Sequence, residues 1–331
     1  MNALAPTVRF ADGFLFIGDP HLSSRKPGRR KDRSFSDTVL GKIAFAIDLA
    51  NERRLVPVFL GDMFDRPVEE DERLKTKLIR LLKQSWTTPV SNVGNHDIRN
   101  TRLTDGDSLA VLAETGLIQV TTESGPIGVF AVAGKRIGLG ATPYGQAIPR
   151  DARVFFDKVD TIIWLTHHDI AFENTYPGAM APQAITGCRL VINGHMHLRK
   201  KAMKVGETLW CNPGNLTRQA IDAIDHVPAV WSLAGSGRFE PHPVPHETDV
   251  FDLTGKLIDA ISPGEAGAAD GNGPDQESAF ISLLRTESTM EMEQSDDGSI
   301  LLEEILEKFE KERTPQDMRA LILELHRAVV A

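Results

Sequence analysis

The sequence predicts an α/β sandwich, two packed mixed β-sheets flanked by helices, with a helical tail at the C-terminus. Three observations predict it. Short apolar runs alternate with longer amphipathic stretches over the first two thirds of the 331 residues. The early half reads strand–helix–strand while the later half is strand-rich, a pattern satisfied by stacked layers. Gly or Pro punctuates nearly every apolar run.

Taken in order, Phe14–Ile17 reads as a buried strand. Ser36–Asn51 carries Val39, Leu40, Ile43, Ile47 and Ala50 at helical spacing. Leu55–Leu60 is again a strand, and Asp71–Lys83 is a helix with Leu74, Leu78 and Leu81 on one face. Val90–Val93 reads as a strand and Ser108–Thr115 as a short helix. Val129–Val132, Arg136–Ala141, Thr161–Thr166, Arg189–Asn193 and Thr208–Cys211 are short apolar strands, and Val230–Leu233 with Arg238–Pro241 reads as a hairpin. This body is expected to span 1–260. Ser262–Glu277 is rich in Gly, Ala, Pro and acid, so 261–298 reads as a linker. Beyond it, Ser299 and Thr314 are N-caps for two amphipathic helices over 299–331, with Pro315 at a first helical position. Helices this short need a surface to pack on.

Composition narrows the class. With 41% hydrophobic and 25% charged residues, the chain is an ordinary globular sequence. Its formal net charge of −9 disfavours a nucleic-acid partner in bulk, although a local basic loop or bound metal reverses the field where it matters. Cys188 and Cys211 are too few for a disulfide framework and read as small core residues of a reducing compartment. No membrane span or leader is expected, and the expected location is cytoplasmic.

Five segments carry strong ligand types, each where an apolar run ends: Gly18–His21 (GDPH), Gly61–Asp65 (GDMFD), Gly94–Asp97 (GNHD), Thr166–Asp169 (THHD) and Gly194–His197 (GHMH). One Asp or His at a strand end is ordinarily a turn former. Five together are not explained by turn chemistry, and strand C-termini are where α/β folds gather ligands. The donors are oxygen and nitrogen without thiolate, suiting divalent cations of hard or borderline character.

In order and spacing these motifs resemble the calcineurin-like metallophosphoesterases over roughly Phe14 to Asn215. The resemblance implies a four-layer sandwich and phosphoester hydrolysis by water activated between two divalent metal ions. By position, it implies that Asp19, His21 and His197 hold one ion, that Asn95, His167 and His195 hold the other, and that Asp62 bridges. His96 would stabilise the transition state or protonate the leaving oxygen, with Asp97 orienting it. His167 is preferred to its neighbour His168 because the family's first histidine is the ligand, and successive side chains of a strand alternate. Asp65 could lie behind the ligands or cap a loop, and Asn215 reads as a turn residue more than a substrate contact. Mn²⁺ is the expected ion, and the same donors accept Fe, Zn, Co or Mg.

Within that superfamily the chain resembles the SbcD-type DNA repair nucleases. The features are Arg29–Phe35 leading into the first long helix, the Leu- and Lys-rich helix after GDMFD, Asp107–Val120, and the run GHMHLRKKAM followed by CNPGN. This resemblance implies a DNA nuclease that partners an SbcC-type ATPase through its C-terminal helices; the tail faces could also mate two copies into a homodimer. Six Lys or Arg within Arg25–Arg33 fit a loop that tracks a phosphate backbone, with Arg25, Arg29, Arg30 and Arg33 as the contacts, or else a solvated charged loop. The separate DNA-capping domain of longer relatives has only a linker in its place. The other readings are a nucleotide or small-molecule phosphodiesterase and, with the ligand set intact the weakest, a non-catalytic scaffold.

Overall fold

The computed structural model of the chain describes residues 8–172, 178–253 and Arg319. The chain divides into two units, Met1–Leu257 and Ile258–Ala331. The expected linker and, apart from Arg319, the expected helical pair lie outside the described residues.

Two mixed sheets form the first unit. The six-stranded sheet runs in the order β13-β12-β2-β3-β4-β5, comprising Phe239–Pro243, Ala229–Ala234, Gly13–Ile17, Leu55–Phe59, Val90–Ser91 and Gln119–Val120. The seven-stranded sheet runs β1-β6-β7-β8-β9-β11-β10, comprising Val8–Phe10, Gly125–Val132, Lys135–Thr142, Thr161–Thr166, Cys188–Asn193, Thr208–Asn212 and Lys200–Val205. Strands β2, β3 and β4 are parallel neighbours, as are β8, β9 and β11. Within each triplet the three C-terminal ends therefore lie at one edge of the sheet.

Side-chain alternation along β2 shows how the layers are joined. Phe14 and Phe16 enter the core between the sheets, where Phe14 meets Phe130 edge-on at 5.2 Å between ring centroids. Leu15 and Ile17 point the other way, to the layer of helices. That layer holds α1 (Phe35–Arg53), α2 (Glu72–Leu82) and α3 (Ser108–Glu114). Ser34 caps α1 by accepting from the Asp37 N–H, and Asp71 caps α2 by accepting from the Arg73 and Leu74 N–H groups. Among the described residues no helix is long and apolar enough to cross a membrane.

The outer face of the seven-stranded sheet is covered differently. Ile148, Ala152, Ile170, Phe172 and Ile185 pack there against Trp164, Val191 and Trp210. Their segments are loops with one 3-10 turn, Arg153–Phe155. Pro143, Pro149 and Pro182 break any helical run in this stretch. Strand β10 closes one edge, carrying Lys200, Lys201 and Lys204.

Candidate metal centre

Each of the five motifs leaves a strand of the two parallel triplets. GDPH follows β2, GDMFD follows β3, GNHD lies just past β4, THHD begins at the end of β8 and GHMH follows β9. The first two loops are laced together by main-chain bonds: His21 N–H to the Asp62 carbonyl at 2.9 Å, Leu22 N–H to that of Met63 at 2.9 Å, and Asp65 N–H to that of Leu22 at 3.2 Å. Three donor residues adopt left-handed backbone, His21 (φ 47°), Asp62 (φ 48°) and His195 (φ 70°). Such a conformation costs about 1–3 kcal/mol and persists only where its surroundings enforce it. Glycines admit the donors: a Cβ on Gly94 would lie 2.0 Å from Asp62 Oδ1, and one on Gly194 would lie 2.7 Å from Asp19 Oδ1.

The side chains meet. His167 Nδ1 donates to the Leu60 carbonyl at 3.0 Å, so its Nε2 faces Asp62 Oδ2 at 3.0 Å and Asn95 Oδ1 at 3.1 Å. His195 Nδ1 lies 2.9 Å from Asn95 Oδ1. His21 Nε2 lies 3.0 Å from His197 Nε2 and 3.6 Å from Asp62 Oδ2. Among the described residues, three groups have donor atoms near enough to hold a metal ion: Asp19 with His21 and His197, Asp62 with His167 and His195, and His21 with Asp65 and His96. Asp62 touches histidines of the first two groups, and Asn95 joins the second.

The electrostatics call for cations. Asp19 and Asp62 are buried, and among the described residues their only ion-pair partners are histidines. Asp19 Oδ1 and His21 Nδ1 are buried without a hydrogen bond, a costly state that bound cations and the reorientation they bring would relieve. Burial, offset in part by His167, raises the Asp19 carboxyl above its ordinary value. Burial also opposes the charge on Asp62, but His167 and His96 hold that carboxyl well below the usual range. Burial would lower His167; Asp62 and Asp19 carry it up to about 9. The donor set and its unmet charge therefore fit divalent cations.

Other side chains stand behind the donors. His195 Nε2 lies 3.1 Å from Asp169 Oδ1, a carboxylate–imidazole pairing that fixes ring orientation. The Tyr144 ring lies against that of His195 at 5.5 Å. Asp65 Oδ1 lies 3.6 Å from His21 Nδ1 and accepts from Gln219 Nε2 at 3.1 Å. Asp169 sits inside a visible motif, whereas nothing local in the sequence marks Tyr144 or Gln219.

Two expectations need correction. Asp97 does not orient His96: its carboxylate accepts from Gly94 N–H at 2.9 Å and Phe64 N–H at 3.4 Å, tying two loops together. The His96 ring is held instead by the Asp65 carbonyl, 2.6 Å from Nδ1. Burial, then the charge of Asp62, lift the Asp97 carboxyl to about 7.

The arginine-rich loop also splits. Arg25, Arg29 and Arg33 are exposed, but Arg30 is 3% exposed and turns inward. Its guanidinium bonds Asp32 at 2.6 and 2.8 Å, donates to the Arg218 carbonyl at 2.8 Å, and lies over the rings of Phe35 and Phe251. Arg30 is thus a buried strut, because its neighbours supply a carboxylate, a carbonyl and two aromatic faces. It belongs to a cationic cluster under the strap 215–218. Lys42 donates to the Leu216 carbonyl at 3.1 Å, and His226 Nε2 lies 3.0 Å from that of Asn215. The strap's other side serves the centre, with Asn215 N–H donating to the His197 carbonyl and Leu216 N–H to that of Gly18, both at 2.9 Å. The Asn215 side chain is fully buried, with neither amide atom hydrogen-bonded.

A family model described as calcineurin-like phosphoesterase matches residues 13–199. No curated protein matches the chain. Among solved structures, a 5'-nucleotidase precursor from Thermus thermophilus aligns at 12% identity and TM-score 0.41, covering 70% of this chain and 54% of that one. The chain thus spans about half that protein's length. A hypothetical protein from the same organism aligns at 15% identity and TM-score 0.41, with 70% and 99% coverage. The calcineurin-like phosphoesterase YfkN from Bacillus subtilis aligns at 13% identity and TM-score 0.39, with 73% and 91% coverage.

Proposed function

This chain belongs to the calcineurin-like phosphoesterase family and is a metal-dependent hydrolase of phosphoester bonds; from that premise we propose that it is a DNA nuclease of the SbcD type. The observation that carries the chemistry is the meeting of buried Asp19 and Asp62 with four histidines and Asn95, where among the described residues no Lys or Arg pairs with either carboxylate.

In this reading Asp19, His21 and His197 would hold one divalent cation and Asn95, His167 and His195 a second, with Asp62 available to both. When bound, the cations supply Lewis-acid polarisation of the ester and lower the pKa of the attacking water. The remaining work belongs to the chain. Leu60, through His167 Nδ1, and Asp169, through His195 Nε2, hold both rings in orientation. His96, its ring held at Nδ1 by the Asp65 carbonyl, would give a proton to the leaving oxygen. Asp97 ties the loop of His96 to that of Asp62.

Support for a polyanionic substrate comes from the rim. Exposed Arg25 follows the GDPH loop and exposed Arg66 follows GDMFD, and the two line one small cleft. Cations in that position would track a phosphate backbone. The net charge of −9 favours a second reading, a nucleotide or small-molecule phosphodiesterase or phosphatase. Incubation with Mn²⁺ and labelled linear DNA separates the two. Cleavage of single- or double-stranded DNA is expected. Turnover of bis(p-nitrophenyl) phosphate with both DNA forms left intact would sink the nuclease reading and leave the second.

A further inference from the structure

Two histidines stand side by side at the end of β8, and only one of them joins the centre. His167 turns its Nε2 to Asp62 and Asn95, while His168 turns away to the Gln146 carbonyl, 2.9 Å from its Nε2. Strand alternation says that they must diverge, not which one faces in.

We infer that Asn193, the last residue of β9, is the positioning residue that selects His167 over His168. The inference rests on reading His167 and His195 as ion ligands. Asn193 is fully buried, and its amide has both polar atoms engaged. Its Oδ1 accepts from Thr166 Oγ1 at 2.7 Å and from His168 N–H at 3.1 Å. Its Nδ2 donates to the carbonyls of His168 at 2.9 Å and Gly194 at 2.6 Å. One side chain therefore grips the peptide groups on both sides of the His168 Cα. Bringing His168 inward would break both bonds inside a dry interior, where unpaired peptide groups are costly. The same amide holds the carbonyl of Gly194, the residue before His195.

Asn212 backs the arrangement, its Nδ2 lying 3.2 Å from the carbonyls of Asn193 and Gly194. An amide is the side chain this position requires, since it meets two donors and two acceptors at once. A carboxylate would keep the acceptors and lose both donors.

The test titrates Mn²⁺ into the metal-free full-length chain by calorimetry, with circular dichroism as the check on folding. The parent is expected to bind two ions per chain. Thr166→Val keeps the shape of the side chain and removes one bond to Asn193; it should weaken one ion by about tenfold and leave the other within about twofold. Asn193→Asp should weaken the same ion by about 100-fold. Should Asn193→Asp not fold, Thr166→Val alone decides. Two ions bound as in the parent by the folded variants would overturn the inference, as would equal weakening of both ions, the mark of a merely structural residue. A parent that binds fewer than two ions would overturn the two-ion reading of the centre, and this inference with it.

Discussion

Two buried charged clusters lie on opposite sides of the strap 215–218, and they are built by opposite rules. Toward β2 and β3, the centre buries Asp19 and Asp62 and leaves Asp19 Oδ1 and His21 Nδ1 without hydrogen bonds. Toward α1, the guanidinium of Arg30 and the amine of Lys42 end on carbonyls or on Asp32. Most polar groups buried for stability are satisfied, and an unpartnered carboxylate oxygen beside an unpartnered imidazole nitrogen, within one group of donor atoms, suits a cation. The difference teaches which cluster does chemistry, although both are polar, buried and rich in charge.

Substitutions on either side should therefore fail differently, most strongly in the centre. Asp62→Asn should lower turnover of bis(p-nitrophenyl) phosphate by on the order of 100-fold or more in the fraction that circular dichroism shows to be folded. Full activity on every substrate would place the centre elsewhere. On the other side, Arg30→Met abandons a buried partner. It should cost about 2–4 kcal/mol of stability, the half-buried Asp32 softening the loss, while the folded fraction keeps its turnover. Paired denaturation and rate measurements on that variant test the contrast, and selective loss of turnover would erase it.

Lys42 sharpens the comparison through pH. Burial, then Arg30 and Arg218, push its amine down to about 7 from an ordinary 10.5. Between those values the unfolded chain holds a proton that the folded protein has released. Stability from this group therefore rises with pH through that window, by up to about 1.4 kcal/mol per unit, and below pH 7 the burial penalty is felt in full. Urea titrations of the parent and Lys42→Met at successive pH values should diverge by that slope, and parallel curves would refute it. The smallest effect belongs to the rim: Arg25→Ala should move stability by less than about 0.5 kcal/mol and reduce the salt dependence of DNA binding by about one charge. An unchanged salt slope would remove Arg25 from the DNA path.

Much of this was legible in the chain. Thr161–Thr166 has the same bounds in sequence and structure, and the α2 caps fall on Asp71 and Lys83, the ends read from periodicity. The hairpin near the end of the body is β12 and β13. Strand β10 was not legible, because Lys200, Lys201 and Lys204 hide the pattern of an edge strand that packs little. The candidate ligands were legible because Gly precedes most of their motifs and strong donors cluster there. Arg30 was misread for the reverse reason: among six cations in nine residues, nothing local marks the one whose partners, Arg218 and Phe251, lie some 190 and 220 positions away. Likewise Asp97 sits beside His96 in sequence, yet its carboxylate turns to Phe64, 33 positions back.

The positive φ angles at His21, Asp62 and His195 have a consequence for anyone wishing to transplant this centre. Much of the aim of these side chains is stored in the main chain. Grafting the same seven residues onto a sandwich with ordinary loops would reproduce the inventory and lose the direction. Such a graft would need the turns themselves, at a cost of about 1–3 kcal/mol for each left-handed residue, before any ion could reward it.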